Sequence, residues 1–170
     1  MRTRTMITGG TVAAAVLTAM TGFATAQSPA ARAVPVCKES AVKVRASGSG
    51  TPGVLRIGFT NTSARTCAVD RLPTVAFGDL DGAAQPVPPA DSAPYKLAPG
   101  RAAYAAVRTA PGPGTDGEDA KVVDTVRVAA DPSHTGREFA FPGTRVWEPV
   151  TTWWHPSRAK ADNALRKALG

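Results

Sequence analysis

The chain has little with which to build a reactive centre. It contains two cysteines, Cys37 and Cys67, and two histidines, His134 and His155. Two cysteines without neighbouring histidines make an incomplete zinc site. In an exported chain they read as one disulfide; two free thiols or a metal pair are the weaker readings. The bridge would close a loop of about 30 residues, worth about 3–4 kcal/mol on the chain-entropy account. The sequence has no Gly-x-Ser-x-Gly elbow, no His-Glu-x-x-His pair and no phosphate-cradling glycine loop. Asp79 and Asp81 stand two apart, as in calcium loops, but the twelve-residue pattern with its terminal Glu is missing, so Asp81-Gly82 reads as a tight turn. Acidic residues number 13 against 20 basic ones, and aromatics make up 6%.

The longest low-charge run is the one from Ile7 to Phe23. Arg2 and Arg4 precede it and Ala24-Thr25-Ala26 follows, the pattern of a secretory signal peptide over residues 1–26, with Ala31-Arg32-Ala33 as the fallback cleavage site. The run is too short and interrupted for a membrane anchor. The mature protein is therefore expected to be exported, not membrane-spanning and extracellular or cell-wall associated. Eighteen basic and 13 acidic residues follow Ala26, a net charge of +5 spread along the chain. No basic stripe is interleaved with aromatics, so a nucleic-acid partner is not expected.

What is present is β pattern. Leu55, Ile57 and Phe59 alternate with Arg56, Gly58 and Thr60, the period of a half-buried strand, and the polar turn Asn61–Thr66 leads to Cys67. Residues 27–36 read as a flexible arm, 41–45 as the first strand and 47–53 as a loop. Leu72–Phe77 alternates again, and residues 83–94, with four prolines, read as a surface crossover with a short edge strand. Tyr95–Leu97 is brief. Arg101–Thr109 suits a helix by composition, but the Pro-Gly pairs on either side confine it to strand length. Ala103, Ala105 and Val107 then share one face, Tyr104 and Ala106 the other. Residues 110–120 form a Gly/Pro/acid loop. Val122, Val126 and Val128 are placed on one face of the next strand, with Asp124 interrupting it. Residues 131–136 make a turn, Glu138–Phe141 a strand, and Val146–Trp154 the last strand. Ser157 is a candidate cap for a helix with a weak Ala161/Leu165/Ala168/Leu169 stripe; a frayed basic tail over 156–170 is the alternative. Seven or eight short strands with turns every 8–12 residues predict an all-β, immunoglobulin-like antiparallel β-sandwich over residues 37–155.

One string carries a resemblance: Leu55-x-Ile57-x-Phe59-Thr60-Asn61-Thr62-Ser63, then Thr66-Cys67-x-Val69, Leu72-Pro73-x-Val75-x-Phe77, Asp81-Gly82 and Leu97-Ala98-Pro99-Gly100-Arg101-Ala102-Ala103. It resembles the secreted actinobacterial family catalogued as domain of unknown function 4232, over about residues 37–130. The resemblance implies export and a small β-sandwich, and it transfers no catalytic residue. Many members carry a second cysteine pair in the later half; this chain does not, so its second half rests on core packing.

Two function classes follow. The first is a non-catalytic binding module, without cofactor and monomeric, holding an envelope glycan or another exported protein. Its candidate ligand-binding residues are Trp147, Trp153, Trp154 and His155, because exposed tryptophan favours glycan and protein surfaces. The bland alternative puts one tryptophan in the core and another under the C-terminal helix. The second class is a small hydrolase or metal-dependent enzyme assembled from Asp131, His134, His155 and the acidic loop. It needs the two histidines close to each other or to a carboxylate.

Overall fold

The computed structural model describes residues 33–87, 93–111 and 119–170. The signal-peptide segment, residues 27–32 of the arm, and Asp116 and Glu118 of the acidic loop lie outside them. After a single 3-10 turn at Glu39–Ala41 come ten strands and one helix: β1 (Val42–Gly48), β2 (Val54–Asn61), β3 (Cys67–Val69), β4 (Thr74–Phe77), β5 (Gln85–Pro86), β6 (Tyr95–Leu97), β7 (Ala102–Arg108), β8 (Lys121–Ala129), β9 (Arg137–Val146), β10 (Val150–Thr151) and α1 (Arg158–Leu169). The count exceeds seven or eight because four strands, β3, β5, β6 and β10, have only two or three residues each.

The strands form a β-sandwich. One layer is a five-stranded sheet in the order β1-β2-β7-β10-β5; facing it are the β3-β6 pair and the sheet β4-β8-β9. Leu55, Ile57 and Phe59 of β2 and Ala103, Ala105 and Val107 of β7 turn inward, as their alternation requires. They meet Val75, Phe77, Val123, Val126 and Val128 from the opposite layer in one core. The Cys37–Cys67 disulfide ties the start of the domain to β3. The end of the supposed flexible arm is also held: Pro35 O accepts from Ala68 N–H at 2.9 Å, and Val36 bridges Ala68.

The alanine-rich β7 has a physical reason. Its inner face joins the core, and its outer face is covered by α1, where Ala161 and Leu165 close over Ala106. Small side chains on both faces let two layers approach one strand. Ser157 caps the helix by accepting from Lys160 N–H at 3.3 Å. Of the expected stripe, only Ala161 and Leu165 are buried; Ala168 and Leu169 face solvent. Gly58 lies opposite Tyr104 in the register, and a Cβ there would meet the Tyr104 ring at 3.4 Å, so the ring lies over the glycine.

Three sequence expectations are corrected. The first strand begins at Val42 rather than Ala41 and continues through Gly48, taking in residues assigned to a loop. On β8 the register shifts between Val123 and Thr125. This bulge moves Val123 inward and leaves Val122 64% exposed, so Val122 does not share a face with Val126 and Val128. Val146–Trp154 is not one strand either. β9 runs on from Arg137 to Val146, Glu148 turns the chain at φ 44°, and only Val150–Thr151 pairs as β10.

Candidate functional site

The register divides the sandwich into two ends. Val54 and Val150 both pair with Arg108, and Lys121 pairs with Val146. The β1–β2 loop, the residues after β7 and the β9–β10 turn therefore gather at one end. His155 bridges Tyr104, toward the start of β7, at the other end. The predicted Trp147–His155 cluster is thus pulled apart by an extended chain that crosses the sheet from end to end.

Trp147 lies at the loop end. Its backbone N–H donates to Thr109 O at 2.9 Å, joining the β9–β10 turn to the end of β7. Beside this junction an open cleft of about 860 Å³ is lined by Gly48–Leu55, Thr109–Pro111 and Gly143–Arg145. Glycines, Ser49, Thr51 and Pro52 form its β1–β2 wall, so backbone polar groups stand close to its surface. A smaller depression of about 420 Å³ is lined by Trp147 with Leu80, Asp81 and Pro149. Glu148, which lines this smaller depression, is the one non-glycine with positive φ among the described residues. Such conformations collect where a site holds the backbone in place.

Trp154 is a core residue, 1% exposed, with its ring 5.0 Å from Phe59. Its indole N–H is buried without a protein acceptor among the described residues. Trp153, half-buried, lies under the Arg71 guanidinium, 4.6 Å from the ring centroid, and Arg71 also sits 5.7 Å from Tyr95. One tryptophan therefore fills the core as the bland alternative expects, but the other packs against Arg71. His155 is half-buried. Burial, then the charges of Arg71 and Lys160, hold its pKa below the usual histidine value.

The Asp131–His134 turn has a structural occupation. Asp131 accepts from the Ser133 hydroxyl at 2.6 Å, from Ser133 N–H at 3.0 Å and from Asp70 N–H at 3.0 Å. Burial raises its pKa, but these bonds and His134 outweigh that and leave the carboxyl below its ordinary value. His134 Nε2 lies 2.8 Å from Cys37 O. Glu39 accepts from Gly136 N–H at 2.8 Å and Thr135 N–H at 3.1 Å, and these bonds hold its carboxyl below the usual range. The turn thereby fastens β8–β9 to the disulfide-bearing start of the domain. The fold brings Asp131 and His134 together, but His155 belongs to a different set of neighbours. Among the described residues no group of three His, Cys, Asp or Glu side chains is arranged to hold a metal ion.

Sequence reasoning missed the loop-end cleft, whose only sequence signal is the breaker cluster Ser47–Gly53. It also missed Asn61, read as a turn former. Asn61 is fully buried: its amide donates to Arg65 O (2.8 Å) and Leu97 O (2.9 Å), and its carbonyl accepts from Ser63 N–H and the Ser63 hydroxyl.

No curated protein and no solved structure matches the chain significantly. A family model described as Domain of unknown function (DUF4232) matches residues 37–155, from the first half-cystine to the histidine that precedes the helix, and the chain belongs to that family.

Proposed function

We propose that the protein is an exported, monomeric, non-catalytic binding module of the cell envelope, and that the loop-end cleft takes its ligand, an envelope glycan or another exported protein. The observation that carries this reading is the cleft of about 860 Å³, built by loops on a rigid, disulfide-tied sandwich. Binding sites concentrate in loops held by such scaffolds. The positive φ of Glu148 beside Trp147 adds support. The disulfide suits an oxidising compartment, and among the described residues no helix is long and apolar enough to cross a membrane.

The test is retention of the oxidised protein on an isolated cell-wall fraction stripped of phosphate polymers. Gly48→Trp fills the cleft from a strand position where a new Cβ meets nothing within 4 Å. Retention lost in folded Gly48→Trp, weakened in Trp147→Ala and kept in Trp153→Ala is the expected result. Retention equal in all three, or absent in the wild type, overturns the reading.

A further inference from the structure

β1 is an edge strand of the five-stranded sheet, and two of its exposed side chains, Lys43 and Arg45, are basic. Lys43 and Arg45 alternate onto one face, about 6.8 Å apart along the strand. Two depressions share Lys43, Arg45, Ser47 and Arg158 as walls. One, about 350 Å³, crosses Gly58 and Tyr104 toward α1; the other, about 360 Å³, passes around the β1 edge to Arg137 and Phe139. Neither is lined by an acidic residue. Asp162 stands nearby but is held by Arg56, and Glu39 is turned onto the Thr135 and Gly136 N–H groups. Lys43, Arg45, Arg137 and Arg158 have no acidic partner among the described residues.

Basic side chains on an edge strand discourage pairing with another chain. That accounts for Lys43 and Arg45. It does not account for Arg158, which arrives from the helix, or Arg137, which arrives from the opposite sheet. Both guanidiniums are seated on rings: Arg158 lies 5.5 Å from the Tyr104 centroid and Arg137 5.8 Å from that of Phe139. Each contact limits the freedom of a long side chain before any anion arrives. Each guanidinium occupies a ring face on which a base or a sugar would otherwise stack. Recognition here is by charge and spacing.

We infer that the groove along β1 binds a linear polymer bearing one phosphodiester per short repeat, a polyol-phosphate chain, with Lys43, Arg45, Arg137 and Arg158 as the phosphate contacts. The groove is separate from the loop-end cleft, and the inference stands whether or not the cleft binds anything.

The probe is a poly(glycerol phosphate) chain of about ten units, titrated by calorimetry into the oxidised protein at several salt concentrations. The comparison ligands are inorganic phosphate, polygalacturonate and a single-stranded oligonucleotide of equal charge. The Lys43→Gln/Arg45→Gln pair is expected to weaken polymer binding about tenfold or more and to lower the logarithmic salt slope by about 1.4. Arg101→Gln/Lys121→Gln, two exposed positions outside the groove, removes the same net charge and is expected to leave binding unchanged. Equal loss in both variants reduces the effect to net charge and overturns the site. Absence of polymer binding overturns it too. Oligonucleotide or polygalacturonate binding as tight as the polymer's overturns the assignment of ligand.

Discussion

The guanidinium of Arg56 on β2 grips the carboxylate of Asp162 on α1 with Nε 3.1 Å from each oxygen and one terminal nitrogen at 2.7 Å. The two residues are 106 positions apart in sequence. This pair, with Arg158 over Tyr104, fixes the register of the helix on the outer face of the sheet. The apolar contact of Leu165 contributes more to keeping it there, because the ion pair is partly solvated. Leu165→Ala is expected to destabilise the domain by about 2–3 kcal/mol. Asp162→Asn is expected to accelerate amide exchange in the helix while barely moving the global unfolding midpoint. Hydrogen exchange and thermal unfolding check both; a cooperative loss of the whole domain in Asp162→Asn would contradict this division.

Trp154 supplies volume rather than polarity, since its indole N–H has no protein acceptor among the described residues. Trp154→Phe should therefore cost far less than Trp154→Ala, for which a loss of about 3–5 kcal/mol is expected. Chemical denaturation of the two variants measures the difference. Equal losses would show that the N–H, not the ring, matters at this position.

Reduction of Cys37–Cys67, or the Cys37→Ser/Cys67→Ser pair, is expected to cost about 3–4 kcal/mol, lowering the unfolding midpoint by about 10–15 °C. The bridge closes a 30-residue separation that includes β1 and β2, so its loss frees the edge of the sheet first. Exchange protection lost in β1 before β8 is the expected order.

Stability should fall in two steps on acidification. The pKa of His155 is depressed in the fold, so the unfolded chain takes up a proton there first. That contribution is complete above the unfolded histidine value, about 6.5, and is lost as pH falls from there through the folded value. Asp131 and Glu39 are also depressed. Their contributions are complete above the unfolded carboxylate values near 4 and disappear as pH falls through the lower folded ones. Unfolding midpoints measured from pH 8 to pH 2 should show both steps, with His155→Gln removing the first and Asp131→Asn reducing the second. A midpoint that rises between pH 7 and pH 5 would contradict the assignment of His155.

Alternation carried the sandwich and most of its core, because inward and outward positions on β2, β4 and β7 follow a period of two that tertiary packing leaves undisturbed. The pattern failed where packing inserts a residue. On β8 the bulge beside Asp124 exchanges the roles of Val122 and Val123, and no local feature distinguishes two adjacent valines. The tryptophans failed for a related reason. Their closeness in sequence suggested one surface, but an extended chain separates residues by about 3.3 Å each, so Trp147 and Trp153 reach opposite ends. Asn61 has the composition of a turn residue and bonds Arg65 within its own turn, but the carbonyl of Leu97, 36 residues away, is what ties it into the core. The loop-end cleft is a property of how three segments meet, which no one segment encodes.

The most direct test of the binding-module account is residue-resolved. Soluble cell-wall fragments are titrated into isotopically labelled, oxidised protein and amide shifts are followed by NMR. With fragments free of phosphate polymers, the account predicts saturable shifts confined to Gly48–Leu55, Thr109–Ala110, Gly143–Arg145 and the Trp147 indole, with the Trp154 indole unmoved. Shifts absent at saturating fragment, or centred on the Asp131–His134 turn with fragment turnover, would contradict it.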